Sequence, residues 1–361
     1  MTEDMPLKSS KLSWLLLVSL LIVVLSACGK DQEAAPLADG IAPPQSVVPE
    51  EPAPPEPPTP AYTAPLTGLP LEEPLTRRPL AIMINNAPAA RPQSGLIDAD
   101  VVYEVLAEGG VTRLVSIFHS QAENAKIGPI RSIRPYMIDL GESYHGVLVH
   151  AGASNDAYAI LQRQHKEDLD EITNAGSFFW RDKSRKAPHN LYSNVEKLME
   201  GAVKRGYATE DETVPAYVFY KENEHPDSLE TANHVEIKFQ LDNYKVSYDY
   251  DAAAGLYKRS VNGKPHTDLE TGDPLTAANV VVMGADHRVL DDVGRLDVGL
   301  SLGGEAVLFQ QGKVIRADWI RKDGDIIRFI KDNVELPMVP GQTFIHVVPN
   351  SPDFASHVKA E

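Results

Sequence analysis

Two glutamates and an arginine interrupt an apolar stretch, "VVYEVLAEGGVTRLVSIF", at residues 101–118. A carboxylate pair such as Glu104 and Glu108 can cleave a glycosidic bond when the two carboxyls stand about 5–9.5 Å apart. The apolar runs around Gly109-Gly110 predict a hairpin instead. On a strand, four residues at about 3.3 Å each separate the two backbones by about 13 Å, too far for that chemistry. A helix would bring them to about 6 Å. If Gly109 and Gly110 make a two-residue turn, Glu108 faces Val111, Leu106 faces Arg113 and Glu104 faces Val115. Arg113 then lies diagonal to both carboxylates, at about 7–8 Å between backbones. This register predicts a structural charge network of Glu104, Glu108 and Arg113, and it turns Tyr103, Val105, Leu114 and Phe118 towards a core.

Other residues suggest other chemistry. Ser154 follows His150, and His189 stands elsewhere in the chain, but "HAGAS" is not the Gly-x-Ser-x-Gly turn that exposes a serine nucleophile. A serine opening a helix is ordinarily its cap. His119, His150 and His189 show no metal-ligand spacing, so neither a metal nor another cofactor is expected. The arginines stand out more. Arg91, Arg113, Arg131, Arg134, Arg181 and Arg185 gather in turn-rich segments of a chain whose net charge is −17. That acidity argues against nucleic acid, whose binding relies on basic surface. Arginine's planar fork suits carboxylates and phosphates.

The arrangement of these residues suggests one place for an anion. The strand "GVLVH", a glycine turn and a helix opening at Ser154 would leave backbone N–H groups free. Arg131 and Arg134 precede Pro135, which favours an irregular or extended segment able to turn towards that point. The expected ligand site is therefore Arg131, Arg134, His150, Ser154, Arg181, His189 and Asn190, with Lys183 and Arg185 closing it from a basic, aromatic loop. The competing reading is an internal ion-pair network.

The elements that would hold these residues divide the chain. "PLAIMI" (79–84) and "GVLVH" (146–150) read as buried strands, and the first is followed by the turn-rich "NNAPAARPQSG". Ser193 and Glu196 form a capping box for a helix over "NVEKLMEGAVKRG". From Val214 strand signals dominate: "AYVFY", "HVEIKFQ", "YKVSYDYD", "GLYKRSV", an Asn262-Gly263 turn, "NVVVMG", "EAVLFQ", "KVIRADWI", "DIIRFI" and "QTFIHVVP". The fold class is α+β, with a mixed α/β N-terminal domain at 66–212 and a β-rich C-terminal domain at 213–361 that could share a sheet.

The N-terminus sets the expected location. Lys8 and Lys11 precede an apolar run from Leu12 to Ala27, which is shorter than the ~20 residues of a membrane-spanning helix. Residues 1–27 read as a signal peptide ending in "LSAC". Cys28 is the only cysteine, so no disulfide can form within one chain. Residues 28–65, with "PEEPAPPEPPTP", read as a tether with no core of its own. At about 3.1 Å per residue it could reach roughly 100 Å.

Taken in order, "ARPQSGL", "YEVLAEGGVTR", "IGPIRSIRPY", "HAGAS" and "APHNLY" resemble the YerB-like family of bacterial lipoproteins, built around a domain of unknown function. "DDVGRLDVGL", "GEAVLFQQGKVIRADW" and "PGQTF" are similar to its second part, and the resemblance covers nearly all of residues 64–349. "LSAC" likewise resembles a lipobox, where cleavage leaves a lipid-modified Cys28 carrying a diacylglyceryl group and fatty acids such as palmitate. The resemblance implies the α+β fold and anchoring on the extracytoplasmic face of the cell membrane, and no established activity. The expected function is a tethered binding or assembly module of the bacterial cell envelope. Its partners would be the membrane and cell-wall polymers or envelope proteins, and its ligand an anionic component such as a wall peptide, teichoic acid or phosphorylated sugar. The alternative is an envelope hydrolase or transferase acting on an anionic glycan or peptide.

Overall fold

Residues 80–84 are apolar at every position, and they lie in the strand β1, Leu80–Asn85, buried along its whole length. Continuous burial of this kind belongs to a strand covered on both faces. The computed structural model describes residues 61–121, 126–226, 228 and 230–361. The signal peptide, Cys28 and nearly all of the expected tether lie outside the described residues. The same pattern of burial continues in β2 (Val101–Leu106), β3 (Thr112–Phe118) and β4 (Val147–His150), followed by the short β5 (Asp168–Asp170). The later strands are β6 (His234–Lys238), β7 (Lys245–Asp251), β8 (Leu256–Val261), β9 (Asn279–Ala285), β10 (Gly304–Gln310), β11 (Lys313–Ile320), β12 (Arg328–Lys331), β13 (Val334–Glu335), β14 (Thr343–Pro349) and β15 (Val358–Ala360).

An eleven-stranded sheet runs in the order β13-β12-β11-β10-β9-β14-β2-β3-β1-β4-β5. Within it β9, β14, β2, β1, β4 and β5 share one direction, and β3 opposes its two neighbours. A second sheet orders β8-β7-β6-β15, with the Lys264–Pro265 strand outside β8. The type of turn expected at Asn262-Gly263 is there, with φ of 51° and 71° at the two residues, as a tight hairpin turn requires.

The described residues form three α-helices beside the parallel part of the sheet. α1 (Pro135–Glu142) starts with proline at its first turn, a position where the missing N–H costs nothing. Residues 131–134 before it are irregular or extended, as expected, and the helix starts only at Pro135. At Gly141 the helix lies so close to the sheet that a Cβ would stand 2.5 Å from Leu148 Cδ2 and 2.8 Å from Ala81 Cβ. α2 (Asn155–Arg163) opens at Ser154, whose side chain accepts from the Ala157 N–H. α3 (Val195–Arg205) opens at Asn194, which accepts from the Lys197 N–H. The expected capping box is corrected here: Ser193 still belongs to the Leu191–Asn194 strand and donates its hydroxyl to Phe178 O. Two strand boundaries also differ. "AYVFY" holds only an isolated pairing of Phe219 with Met338, and the "DIIRFI" strand begins at Arg328.

The hairpin of β2 and β3 departs from expectation by one residue. Across the glycine pair the Val111 N–H donates to Glu108 O at 3.4 Å, as a two-residue turn requires. The Ala107 N–H also donates to Val111 O, at 2.7 Å, so Ala107 and Glu108 together oppose Val111. This extra residue makes a bulge. Beyond it Leu106 pairs with Thr112, Val105 with Arg113 and Glu104 with Leu114. With a side-chain period of two, a one-residue slip moves a side chain to the other face. Arg113 therefore shares its face with Val105, and Glu104 points to the opposite side.

Candidate anion-binding site

The parallel strands β1, β4 and β5 end in Asn85, His150 and Asp170, three polar residues that are all buried. Ligands of open α/β sheets collect outside such carboxyl ends. Residues 129–134 cross this edge. The Arg131 N–H donates to Met83 O, the Ala151 N–H to Arg131 O and the Ile133 N–H to Gly152 O. The Trp180–Arg181 and Leu191–Asn194 strands pair beside it and carry the basic loop between them.

Five of the basic residues meet here. Arg134 forks onto Glu108, with Nε on Oε1 and Nη2 on Oε2 at 2.8 Å. Arg113, in register with Asn85, donates from Nη1 to Ser132 O at 2.7 Å. Arg131 lies within electrostatic reach of Arg134, Glu108 and Arg181. Its Nε is buried and finds no acceptor among the described residues. Arg181 donates to Asn190 Oδ1 at 3.2 Å and to Glu171 Oε1 at 3.1 Å. His189 Nδ1 stands 2.8 Å from Asn85 Nδ2.

Burial, then the charge of Arg134, pulls the pKa of Arg131 below the ordinary arginine value. The same causes in the same order bring Arg113 to about 10. Burial, then Arg131 and Arg185, lowers His189. Burial alone would raise Glu108, but hydrogen bonds and charge from Arg134 outweigh it and hold the carboxyl below its usual range. Four guanidiniums thus face Glu108 and Glu171, with Asp170 buried beneath the edge, and the excess is positive.

Several expected members of the site do other work. His150 is fully buried, with Nδ1 3.0 Å from Gly152 O and 3.6 Å from Asp170 Oδ1, so it cannot anchor a surface ligand. Ser154 is a cap. The glycine turn offers less than expected, because the Gly152 N–H is taken by Asp170 Oδ1 at 2.7 Å and the Ser154 N–H by Ile133 O. Asn190 is buried and organises the basic loop by donating to Asp182 O and Arg185 O. Arg185 donates to Ala90 O and Pro92 O and so ties that loop to residues 86–93. Lys183 is exposed at the loop's tip. His119 is buried apart from the edge, with Nε2 2.7 Å from Arg77 O.

The expected network of Glu104 with Arg113 is not formed. Glu104 is sealed between the two sheets with Arg259 of β8, whose Nη2 lies 2.7 Å from Oε2, and both side chains are fully buried. Tyr244, Thr112 and Asn86 all donate to Glu104 Oε1. Arg259 continues from Nη1 to the Tyr248 hydroxyl at 2.7 Å and from Nε to His266 Nδ1 at 3.0 Å. His266 Nε2 then meets Gln93 Oε1 at 2.7 Å, which fixes the neutral ring with its proton on Nε2. His346 lies in register with Glu104, with Nε2 2.9 Å from the Tyr248 hydroxyl. Burial would raise the pKa of Glu104, but Arg259, His346 and Tyr244 outweigh it and leave the carboxyl well below its usual range. A carboxylate so enclosed touches no substrate, and the glycosidase pairing of Glu104 with Glu108 is excluded on geometry. Arg259, Tyr244, Tyr248 and His346 carried no local sequence signal, since each sits in a segment that reads as ordinary strand, and His266 falls in an unassigned stretch after the Asn262-Gly263 turn.

Comparison with known proteins supplies the family. The model for the protein of unknown function (DUF3048) N-terminal domain matches residues 66–208, and its C-terminal counterpart matches residues 235–345. Over 301 residues the chain is 40% identical to "Putative lipoprotein YerB" of Bacillus subtilis (strain 168), covering 82% of this chain and 89% of that protein. The crystal structure of YerB protein from Bacillus subtilis superposes with a TM-score of 0.75 at 37% identity, covering 82% of this chain and 99% of that one.

Proposed function

From a chain that belongs to the DUF3048 family, with a lipoprotein-named relative matched over most of its length, we propose a lipid-anchored envelope protein that binds an anionic ligand at the arginine-rich edge. Cys28 carries the anchor, and two acyl chains hold where one is marginal. The Pro-rich segment then sets the folded part away from the bilayer. In this reading the two family segments act as one body. The ligand is a phosphate- or carboxylate-bearing envelope polymer such as teichoic acid or a wall peptide.

The observation that carries the reading is Arg131. A guanidinium held half-buried beside Arg134 and Arg181, with its Nε unsatisfied among the described residues, is an unfavourable arrangement that an anion relieves. The enzyme alternative has less support, because Glu104 and His150 are sealed and Ser154 is a cap.

Two experiments test the reading. Cys28→Ala should move the protein from the membrane fraction to the soluble fraction or leave it uncleaved, and an unacylated native N-terminus by mass spectrometry would refute the anchor. Titration with a glycerol-phosphate oligomer should give binding that weakens with salt and is lost in Arg131→Ala. Absence of binding at low salt would refute the anion site.

A further inference from the structure

The same edge of the sheet continues past Glu108 to the ends of β2, β14 and β9, and there it opens into a cleft of about 480 Å³. Leu106 ends β2, Pro349 ends β14, and His287 follows β9 two residues beyond Ala285. Phe239, Val289 and Leu296 add apolar wall. Val289 and Leu296 come from a small hairpin, His287–Val289 against Leu296–Val298, whose Val289 is 61% exposed. The volume lies within the roughly 300–1,000 Å³ of small-molecule sites, and a mostly apolar lining with few convergent polar groups is their usual character.

Among the polar residues of this cleft Gln240 and Ser351 are exposed, and Lys238, Ser356 and His357 are committed. Among the described residues no carboxylate lines it, and Lys238 is paired with Asp242 at 2.6 Å. Both ring nitrogens of His357 meet main-chain carbonyls, Lys238 O at 2.7 Å and Ser351 O at 2.9 Å. The Ser356 hydroxyl donates to Asp353 O at 2.8 Å. His287 differs. Its Nδ1 stands 2.9 Å from Ala285 O, so the proton sits there and Nε2 keeps a lone pair. That Nε2 is buried and has no partner among the described residues. Burial also lowers the pKa of the ring, which favours the neutral form. A buried acceptor left without a donor calls for an explanation, because such groups are ordinarily satisfied.

We propose that this cleft binds an uncharged small molecule with an apolar body and a single hydroxyl or amide N–H donor, which His287 Nε2 accepts after a small rotation of the ring. An ionised ligand finds no free opposite charge in the lining, and one without a donor leaves Nε2 unpaired. A site built to pair a donor rejects the analogue lacking it. The proposal is independent of the anion site, since the residues of the two do not overlap.

Phenol and anisole make a matched pair, alike in shape and differing in the donor. The full chain in lipid nanodiscs is titrated with each at equal free aqueous concentration, and the ring nitrogens of His287 are followed by ¹⁵N NMR. Phenol should bind about fivefold to tenfold more tightly than anisole and shift Nε2 as an accepted hydrogen bond does. In His287→Phe the two probes should bind alike, and Leu296→Trp, which fills the cleft, should weaken both. Equal affinities in the unmodified protein, no binding of either probe, or phenol binding without a response at His287 Nε2 would each overturn the proposal.

Discussion

Two arginine–glutamate pairs stem from one hairpin and differ in nearly everything else. Glu104 and Arg259 are both 0% exposed, while the side chains of Arg134 and Glu108 are 13% and 21% exposed. The buried carboxylate receives hydrogen bonds from Tyr244, Thr112, Asn86 and Arg259, and lies beside His346. The rim carboxylate has Arg134 as its partner and other guanidiniums close by. In the first pair every polar atom is organised around one charge, and no access remains. In the second, cations outnumber carboxylates at an edge where ligands can arrive. The same residue types four positions apart thus form a structural joint and a candidate site, because one lies between two sheets and the other beyond a strand end.

The largest expected effect comes from breaking the joint. Arg259→Met leaves Glu104 charged and unpaired between the sheets, and should cost on the order of 3–5 kcal/mol in urea unfolding. Replacing Glu104 and Arg259 together with apolar residues should cost clearly less, since no buried charge is then stranded. Equal losses would show that the two do not act as a unit.

Acid should expose the same joint. Burial, then Arg259, pushes His266 down to about 3 from its ordinary 6.5, so the unfolded chain takes up a proton that the folded one refuses. Its contribution to stability is intact above about pH 6.5 and declines as pH falls towards 3. His119, brought to about 4 chiefly by burial, acts in the same sense. Asp100 acts oppositely. Burial raises it to about 6, so its penalty is present above that pH and fades as pH falls to 3.8. Glu104 contributes below pH 4.5, where its depressed folded value means stability is lost as protons bind. His266→Gln should flatten the decline of denaturant stability between pH 6.5 and 3, and an unchanged slope would contradict a neutral, buried His266.

The rim pair should behave in the opposite way. Arg134→Ala should change stability by less than about 1 kcal/mol, the usual worth of a solvent-touching pair. A loss comparable to that of Arg259→Met would remove the distinction between the two regions.

The sequence made the strands legible wherever burial or alternation was strong, as in β1, β4, β9 and β14. The helix caps were legible to within a residue: Ser154 was right, and Asn194 replaced Ser193 because the preceding strand runs one residue further. The charge pairing was not legible. The bulge at Ala107 leaves no mark in "LAEGGV", yet it decides which face Glu104 takes. Arg259 lies 155 residues from its partner, and local spacing carries no information about a contact made by packing two sheets. The arginine cluster was half legible. Arg131, Arg134, Arg181 and His189 were drawn together by residue type and turn context. His150 was misjudged because a strand-end histidine reads the same whether it faces solvent or an aspartate beneath the edge.

The proposal for the edge holding Arg131 and Glu108 is that it is a site and not merely a network. The direct test is calorimetric titration of a glycerol-phosphate oligomer into the unmodified protein, Arg131→Ala and Glu108→Gln, with unfolding measured for each. Glu108→Gln removes the carboxylate that competes for Arg134, and should strengthen binding by about threefold to tenfold, the range of a modest electrostatic gain. Arg131→Ala should weaken binding by about tenfold or more, and both variants should unfold within about 1 kcal/mol of the unmodified protein. If neither variant changes the affinity, or if Glu108→Gln weakens binding while destabilising the fold, the arginines form an internal network and the claim fails.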